Sequence, residues 1–234
     1  MTQYRFFVFL ITMIFIPVIF AQENRPVLNF TDENGLRQGS WRKADENGKT
    51  VYTGQFRDDK PFGEFRYFYP NGRTRAVMIF EEDGITAQAT FFHQNGRKQS
   101  EGKYHDQKKE DLWRFYNDSG TLISEEFYRN DLKHGLSQSF YPNGRLLEEQ
   151  HFADGVKQGT WKQFHPSGAL KHEVQFENGL MQGQAAYYYA NGSLFMAGNY
   201  HLGLKHGEWV RFGSEGNIEA KEQWEHGILL GDQQ

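Results

Sequence analysis

From Gly159 to Gln182 the chain reads GTWKQF, HPSG, ALKHEVQF, ENGLMQ. The first and third stretches set single apolar residues among polar ones. The second and fourth hold Pro, Ser, Asn and Gly. Apolar residues at a spacing near two, bounded by such punctuation, predict β-strands joined by tight turns. No stretch between glycines sustains a 3.6-residue period, so helix is not expected. The block therefore predicts one hairpin unit: strand, short loop, strand, short loop.

The block recurs without a gap. Gly48, Gly72, Gly96, Gly120, Gly144, Gly168, Gly192 and Gly216 stand 24 residues apart, as do Phe56, Phe80, Tyr104, Tyr128, Phe152, Phe176, Tyr200 and Trp224. A third column opens each unit: Gly39, Gly63, Ala87, Asp111, Gly135, Gly159, Gly183 and Gly207. Periodicity of this length marks units that bury their apolar faces only by stacking on neighbours. The expected fold is all-β, an elongated single-layer antiparallel meander of about eight 24-residue hairpin repeats over residues 39–230. Residues 22–38 form an N-terminal lead with a possible capping strand near 26–31, and residues 231–234 a C-terminal tail. The strand near 217–224 is then an open edge. Sixteen strands at about 4.8 Å make a strip on the order of 75 Å long.

A register follows. A four-residue loop, Pro166 to Ala169, sets His165 against Leu170, Lys162 against Glu173 and Gly159 against Phe176; the same rule sets Arg114 against Glu125. The opening glycine is expected to leave room for the ring opposite. Trp161 and Phe164 are three apart, so strict alternation splits them between faces and a bulge is expected there. Two residues after the opening position the column reads Trp41, Phe65, Ala89, Trp113, Ser137, Trp161, Ala185, Trp209. From Phe65 it alternates large and small, which lets one unit's ring fill space left by the next. Lys43 to Asp45, Ala87 and Asp111 depart from the pattern and predict irregularity in the first unit and between the third and fourth.

Composition narrows the picture. Hydrophobic residues make up 38% and aromatics 16%, with 21 Phe and 12 Tyr, which suits a thin core of rings. With 26 basic and 30 acidic residues and a net charge of −4, no nucleic-acid partner is expected, and an anionic membrane is a poor candidate. The absence of Cys excludes disulfides, thiolate metal sites and a cysteine nucleophile. Residues 1–21, with Arg5 ahead of an apolar run from Phe6 to Phe20, read as a signal peptide cut after Ala21. The folded part is then extracytoplasmic, periplasmic or secreted. A retained anchor is the alternative, though the run is short for a span of roughly 18 or more apolar residues.

Candidate chemistry is sparse. The chain has no phosphate-binding glycine loop, HExxH, GxSxG or calcium-loop pattern. His134 and His206 share one repeat position; His165 and His172 approach across a hairpin without a third ligand. No enzyme activity, cofactor or metal is expected. Glu101, Glu125, Glu149 and Glu173 form a column whose members lie two strands apart, about 9.5 Å, and read as a solvated stripe.

The recurring F/Y-x-x-G-x-x-x-G-x-W, clearest in NYHLGLKHGEW (199–209) and FYRNDLKHGLS (127–137), resembles the MORN repeat in the variant form of the bacterial YwqK-like family. The resemblance implies the hairpin-repeat fold, scaffolding roles and an antitoxin label. A signal peptide is at odds with an antitoxin acting on a cytoplasmic toxin. The expected function is a non-enzymatic extracytoplasmic interaction or scaffold module with a protein partner. The alternative is a cell-wall or glycan binder using exposed rings, with Tyr67, Tyr69, Tyr187 and Tyr189 as the possible surface. The repeat-defining residues are Gly72, Gly120, Gly144, Gly168, Gly192, Phe152, Phe176, Tyr200 and Trp224.

Overall fold

The computed structural model describes residues 27–233; the signal-peptide segment lies outside them. Eighteen strands follow one another: β1 (Phe30–Thr31), β2 (Arg37–Ala44), β3 (Thr50–Arg57), β4 (Lys60–Phe68), β5 (Thr74–Phe80), β6 (Thr86–Phe92), β7 (Lys98–His105), β8 (Lys108–Tyr116), β9 (Leu122–Arg129), β10 (Leu132–Phe140), β11 (Leu146–Ala153), β12 (Val156–Phe164), β13 (Leu170–Glu177), β14 (Leu180–Tyr188), β15 (Leu194–His201), β16 (Leu204–Phe212), β17 (Ile218–Glu225) and β18 (Ile228–Gln233). They form one antiparallel sheet in which each strand pairs with its neighbours in sequence. The meander of 24-residue hairpin units is as expected, and it is longer at both ends. A two-residue β1 caps β2, and β18 pairs with β17. The last described edge is therefore β18 and not the strand at 217–224, and Gly231 belongs to a strand rather than a tail.

Two turn chemistries build the units, except that a longer loop, residues 81–85, joins β5 to β6. After β13, Glu177 pairs with Leu180 across Asn178 and Gly179, at φ 51° and 81°. Two successive left-handed residues define the tight turn whose twist matches the flanking strands, and Asn-Gly accepts them at least cost. After β12 the loop is Pro166 to Gly168. His165 N–H donates to Ala169 O at 2.8 Å, and Gly168 N–H to His165 O at 2.8 Å. Gly168 sits at φ 96°, the left-handed position that closes a three-residue hairpin loop. The loop is one residue shorter than expected, so Phe164 and not His165 pairs with Leu170.

The remaining register agrees: Gly159 pairs with Phe176, Lys162 with Glu173 and Arg114 with Glu125. The shift between Gln163 and Phe164 is the bulge that the Trp161–Phe164 spacing demands. The opening glycine does a different job from the one expected. A methyl group on Gly39, Gly63, Gly183 or Gly207 would meet nothing within 4 Å. Their φ values of 63–81° are the reason for glycine, because a bulge on the side of the preceding strand needs a left-handed residue. At the same position Asp111 adopts φ 59° and keeps the bulge, since Asp tolerates this region better than most residues. Ala87 does not, and β5 pairs with β6 without any register shift. The irregularity thus falls at the junction of the second and third units, while the first unit and the junction of the third and fourth follow the common pattern.

Alternation gives the sheet a ring face and a polar face. On the polar face Arg114 pairs with Glu125 at 2.7 Å and Lys162 with Glu173 at 4.0 Å. Glu101 accepts from Tyr116 at 2.6 Å and pairs with Lys98 at 2.7 Å. The glutamate stripe is thus held by structural partners. On the ring face Phe65, Trp113 and Trp209 are 3%, 1% and 1% exposed. They are buried although no second layer among the described residues covers them, because each lies against a glycine of the preceding strand. Ala89 pairs with Gly102, beside Trp113; Ala185 pairs with Gly198, beside Trp209. A methyl on Gly54, Gly102 or Gly198 would collide with the ring of Phe65, Trp113 or Trp209 respectively. Large-small alternation therefore works through a second column that is glycine only where the next ring lies down.

Candidate binding surfaces

Lysines complete the ring face. Lys109 Nζ stands 4.9 Å from the centre of Trp113 and 4.8 Å from Tyr128. Lys133 lies 5.3 Å from Phe152, Lys157 5.0 Å from Phe176, and Lys205 4.5 Å from both Trp209 and Trp224. Their stems cover the rings while the ammonium groups reach water and face the π-clouds. Burial pushes the Lys109 ammonium below the usual lysine range.

One place on this face is left open. Pro61 and Ile85 hold the repeat positions that Lys109, Lys133, Lys157 and Lys205 hold later, so no ammonium spans the rings. Ala89 stands where the two adjacent units carry Phe65 and Trp113, and Ala87 removes the bulge. The result is a groove of about 490 Å³ walled by Pro61, Tyr67, Met78, Phe80, Ile85, Phe91 and Tyr104, with Asp106 and Gln107 at its rim. Burial raises the phenols of Tyr67 and Tyr104 above the usual range, so both remain neutral donors at ordinary pH. The volume falls within the range of small-molecule sites.

A second feature runs along one long edge. The first residue of each even strand from β10 onward is aliphatic: Leu132, Val156, Leu180, Leu204 and Ile228, exposed by 43–67%. Each member but the last lies near the next unit's turn glycine, as Leu204 does near Gly227. In the N-terminal half the column holds Lys60 and Lys108. Five members two strands apart extend over about 38 Å, forming an apolar ridge.

The four tyrosines of the sequence reading are placed differently from one another. Tyr67 walls the groove. Tyr187 sits among the rings: its hydroxyl lies 3.0 Å from that of Tyr200, and Trp209 is 6.3 Å away. Tyr69 and Tyr189 staple units together. Their hydroxyls donate to Phe92 O at 2.6 Å and Phe212 O at 2.9 Å. Tyr141 does the same to Phe164 O, and His93 takes this place at Tyr116 O. Of the repeat-defining residues, Gly72, Gly120, Gly144, Gly168 and Gly192 are all left-handed turn glycines. Phe176 is buried and Phe152, Tyr200 and Trp224 are half-buried on the ring face. Sequence reasoning missed the groove and the ridge, although both leave a trace at the 24-residue spacing.

The family model of the MORN repeat variant matches three consecutive stretches, residues 112–130, 133–154 and 157–178. The similarity supports a repeat protein of MORN type. No curated protein matches the chain. Among solved structures, a crystal structure of TarM is similar at 17% identity and a TM-score of 0.30, covering 41% of this chain and 19% of that one. A TarM mutant of S. aureus, in complex with fondaparinux, α-GlcNAc-glycerol and UDP, is similar at 16% identity and a TM-score of 0.31, with the same coverage. The matched part thus spans about a fifth of the TarM chain, and a likeness at these scores carries no argument about function.

Proposed function

We propose that this chain is a non-enzymatic binding module that works outside the cytoplasm and holds a protein partner along the ridge from Leu132 to Ile228. The ridge is the observation that carries the reading. Folding accounts for the buried rings, the glycines and the staples, but gains little from aliphatic side chains that stay 43–67% exposed. Contiguous exposed apolar surface marks interaction sites, and repeat proteins bind along such extended surfaces. Residue-specific photocrosslinking tests it in the native envelope. A photoreactive residue at Leu180 or Leu204 should trap one discrete partner, and one at Thr160 on the polar face should not. Val156→Lys, one unit away on the same ridge, should weaken the Leu180 adduct. Equal trapping at Thr160, or none at the ridge, contradicts the proposal.

The groove favours a second reading, a carbohydrate ring of the cell wall stacked on the tyrosines. Sedimentation with purified cell wall decides it: the reading requires binding that Tyr67→Ala abolishes. The export reading is tested by the mass of the mature protein, which should begin at Gln22. The antitoxin label of YwqK-like proteins is set aside in this proposal, since a chain exported as proposed would not meet a cytoplasmic toxin.

A further inference from the structure

Near the C-terminal end three imidazoles come together. His201 closes β15, His206 lies early in β16 opposite Asn199, and His226 is the left-handed first residue of the turn between β17 and β18. That turn lies beside the start of β16, where Gly227 N–H donates to Lys205 O at 2.9 Å. The ring centres are 5.6 Å apart for His201 and His206, 5.6 Å for His206 and His226, and 6.4 Å for His201 and His226.

The repeat provides its own controls. One unit earlier the three positions hold Glu177, Gln182 and Leu202, and Gln182 Oε1 accepts from Leu202 N–H at 2.9 Å. Two units earlier Gln158 and Asn178 bond one another at 3.2 and 3.3 Å. Three units earlier Asp154 binds Arg129 at 2.7 Å and lies 3.3 Å from His134. In each case the side chains bracket the turn by satisfying one another or its backbone. The histidine trio does not. His201 has a long contact to Gln182 at 3.3 Å, and no hydrogen bond is formed by the side chains of His206 or His226 among the described residues.

We propose that His201, His206 and His226 bind a divalent transition-metal ion of the zinc or copper class. Neutral imidazoles are the preferred nitrogen ligands of these ions. Three of them with an open fourth position form a complete protein ligand set. As the side chains stand, no group of three or more His, Cys, Asp or Glu among the described residues, this trio included, is placed to hold a metal ion. The required movement is small. Zinc–nitrogen bonds of about 2.1 Å in tetrahedral geometry set ring centres about 5 Å apart, so the rings close by roughly 0.5–1.5 Å. His206 and His226 are exposed and His201 is half-buried, and the contact to Gln182 gives way when His201 turns. The ion then ties β15 and β16 to the last turn and secures the hairpin that carries the sheet's edge.

Zinc titration of the untagged mature protein, followed by calorimetry and by the imidazole NMR signals, tests the proposal. His206→Gln and His226→Asn are suitable variants, because Gln182 and Asn178 already occupy those repeat positions. The expected result is one ion per chain, with signals of all three histidines shifting together. Zinc should raise the melting temperature by mass action, and each variant should lose about tenfold or more in affinity along with that rise. His134→Gln should bind like the parent. Binding no tighter in the parent than in both variants, or shifts at other histidines only, overturns the site.

Discussion

The indole of Trp209 lies on the bare backbone of Gly198, so closely that a single added methyl would overlap the ring. The same indole donates to Asn199 O at 3.0 Å, as Trp113 beside Gly102 donates to Lys103 O at 3.1 Å. A ring pressed on glycine, with its N–H on the next carbonyl and a lysine over its outer face, replaces the second layer that a single sheet lacks. Gly198→Ala should therefore cost about 1–3 kcal/mol, the range for overpacking a fitted core. Gly231→Ala, where a methyl meets nothing within 4 Å, should cost much less. Urea denaturation checks both, with the Trp209 emission shifting to the red only in Gly198→Ala.

Trp161 shows the slot blocked. Gln150 stands where Gly102 and Gly198 stand, and its Nε2 takes His151 O at 2.9 Å, the carbonyl equivalent to those the other indoles use. Gln150 is 4% exposed, and its Oε1 finds no partner among the described residues. Trp161 is left half-buried, with its Nε1 3.4 Å from Glu148. Gln150→Gly should let the indole sink onto the backbone. Removing a buried unsatisfied oxygen is worth about 1–3 kcal/mol, against about 0.5–1 kcal/mol for glycine in a strand. The expected outcome is a protein at least as stable, with Trp161 emission shifted to the blue.

His172 supplies a pH dependence. It is 8% exposed, its ring centre is 4.2 Å from that of Trp161, and its Nε2 has no partner among the described residues. Burial, with a smaller effect from Lys171, pulls the imidazole down to about 4 from 6.5. A base whose pKa is lower in the folded state takes up its proton more readily when unfolded. Its contribution is complete above pH 6.5 and is lost as pH falls from 6.5 to about 4. Asp83, held at about 2 by hydrogen bonds from Thr86, contributes above its unfolded value of 3.8 and loses that only below it. Denaturation at pH 7 and pH 5 should show a fall in stability that His172→Phe reduces. An unchanged fall would exclude His172 as its source.

Asp111 tests the bulge. Asp111→Gly should be neutral or stabilising, because the backbone is already left-handed at φ 59°. Asp111→Ala should cost about 1 kcal/mol for the same backbone. Thermal melts distinguish the two directly.

The gapless columns made most of this fold legible. Gly168 and Asn178-Gly179 announce the turns, and Lys162–Glu173 and Arg114–Glu125 follow from counting back from them. The one-residue error at His165 arose because Gly168 closes the loop in a left-handed conformation, which spacing alone does not reveal. The job of Gly198 was hidden for another reason. Its column reads Gly54, Met78, Gly102, Glu126, Gln150, Val174, Gly198, Glu222, so it shows no simple 24-residue signature. The groove was readable only as an interruption, at Pro61 and Ile85 in the lysine column and Ala89 in the ring column. The three histidines fall at three different repeat positions, and only the stacking of one turn on the next strand brings them together.

Strands pair only with their neighbours in sequence, and from Phe65 onward the units alternate large with small, giving a true period of two units. Two deletions separate this from a simple 24-residue ladder. Removing residues 135–182 takes out two whole units and leaves Trp113, Ala185, Trp209 in alternating order. Removing residues 135–158 takes out one unit and sets Trp161 directly after Trp113. Measured by circular dichroism and urea denaturation, the 48-residue deletion should stay an all-β protein with one cooperative transition, and the 24-residue deletion should be markedly less stable despite being longer. Equal stability, or loss of structure in the 48-residue deletion alone, would contradict the account.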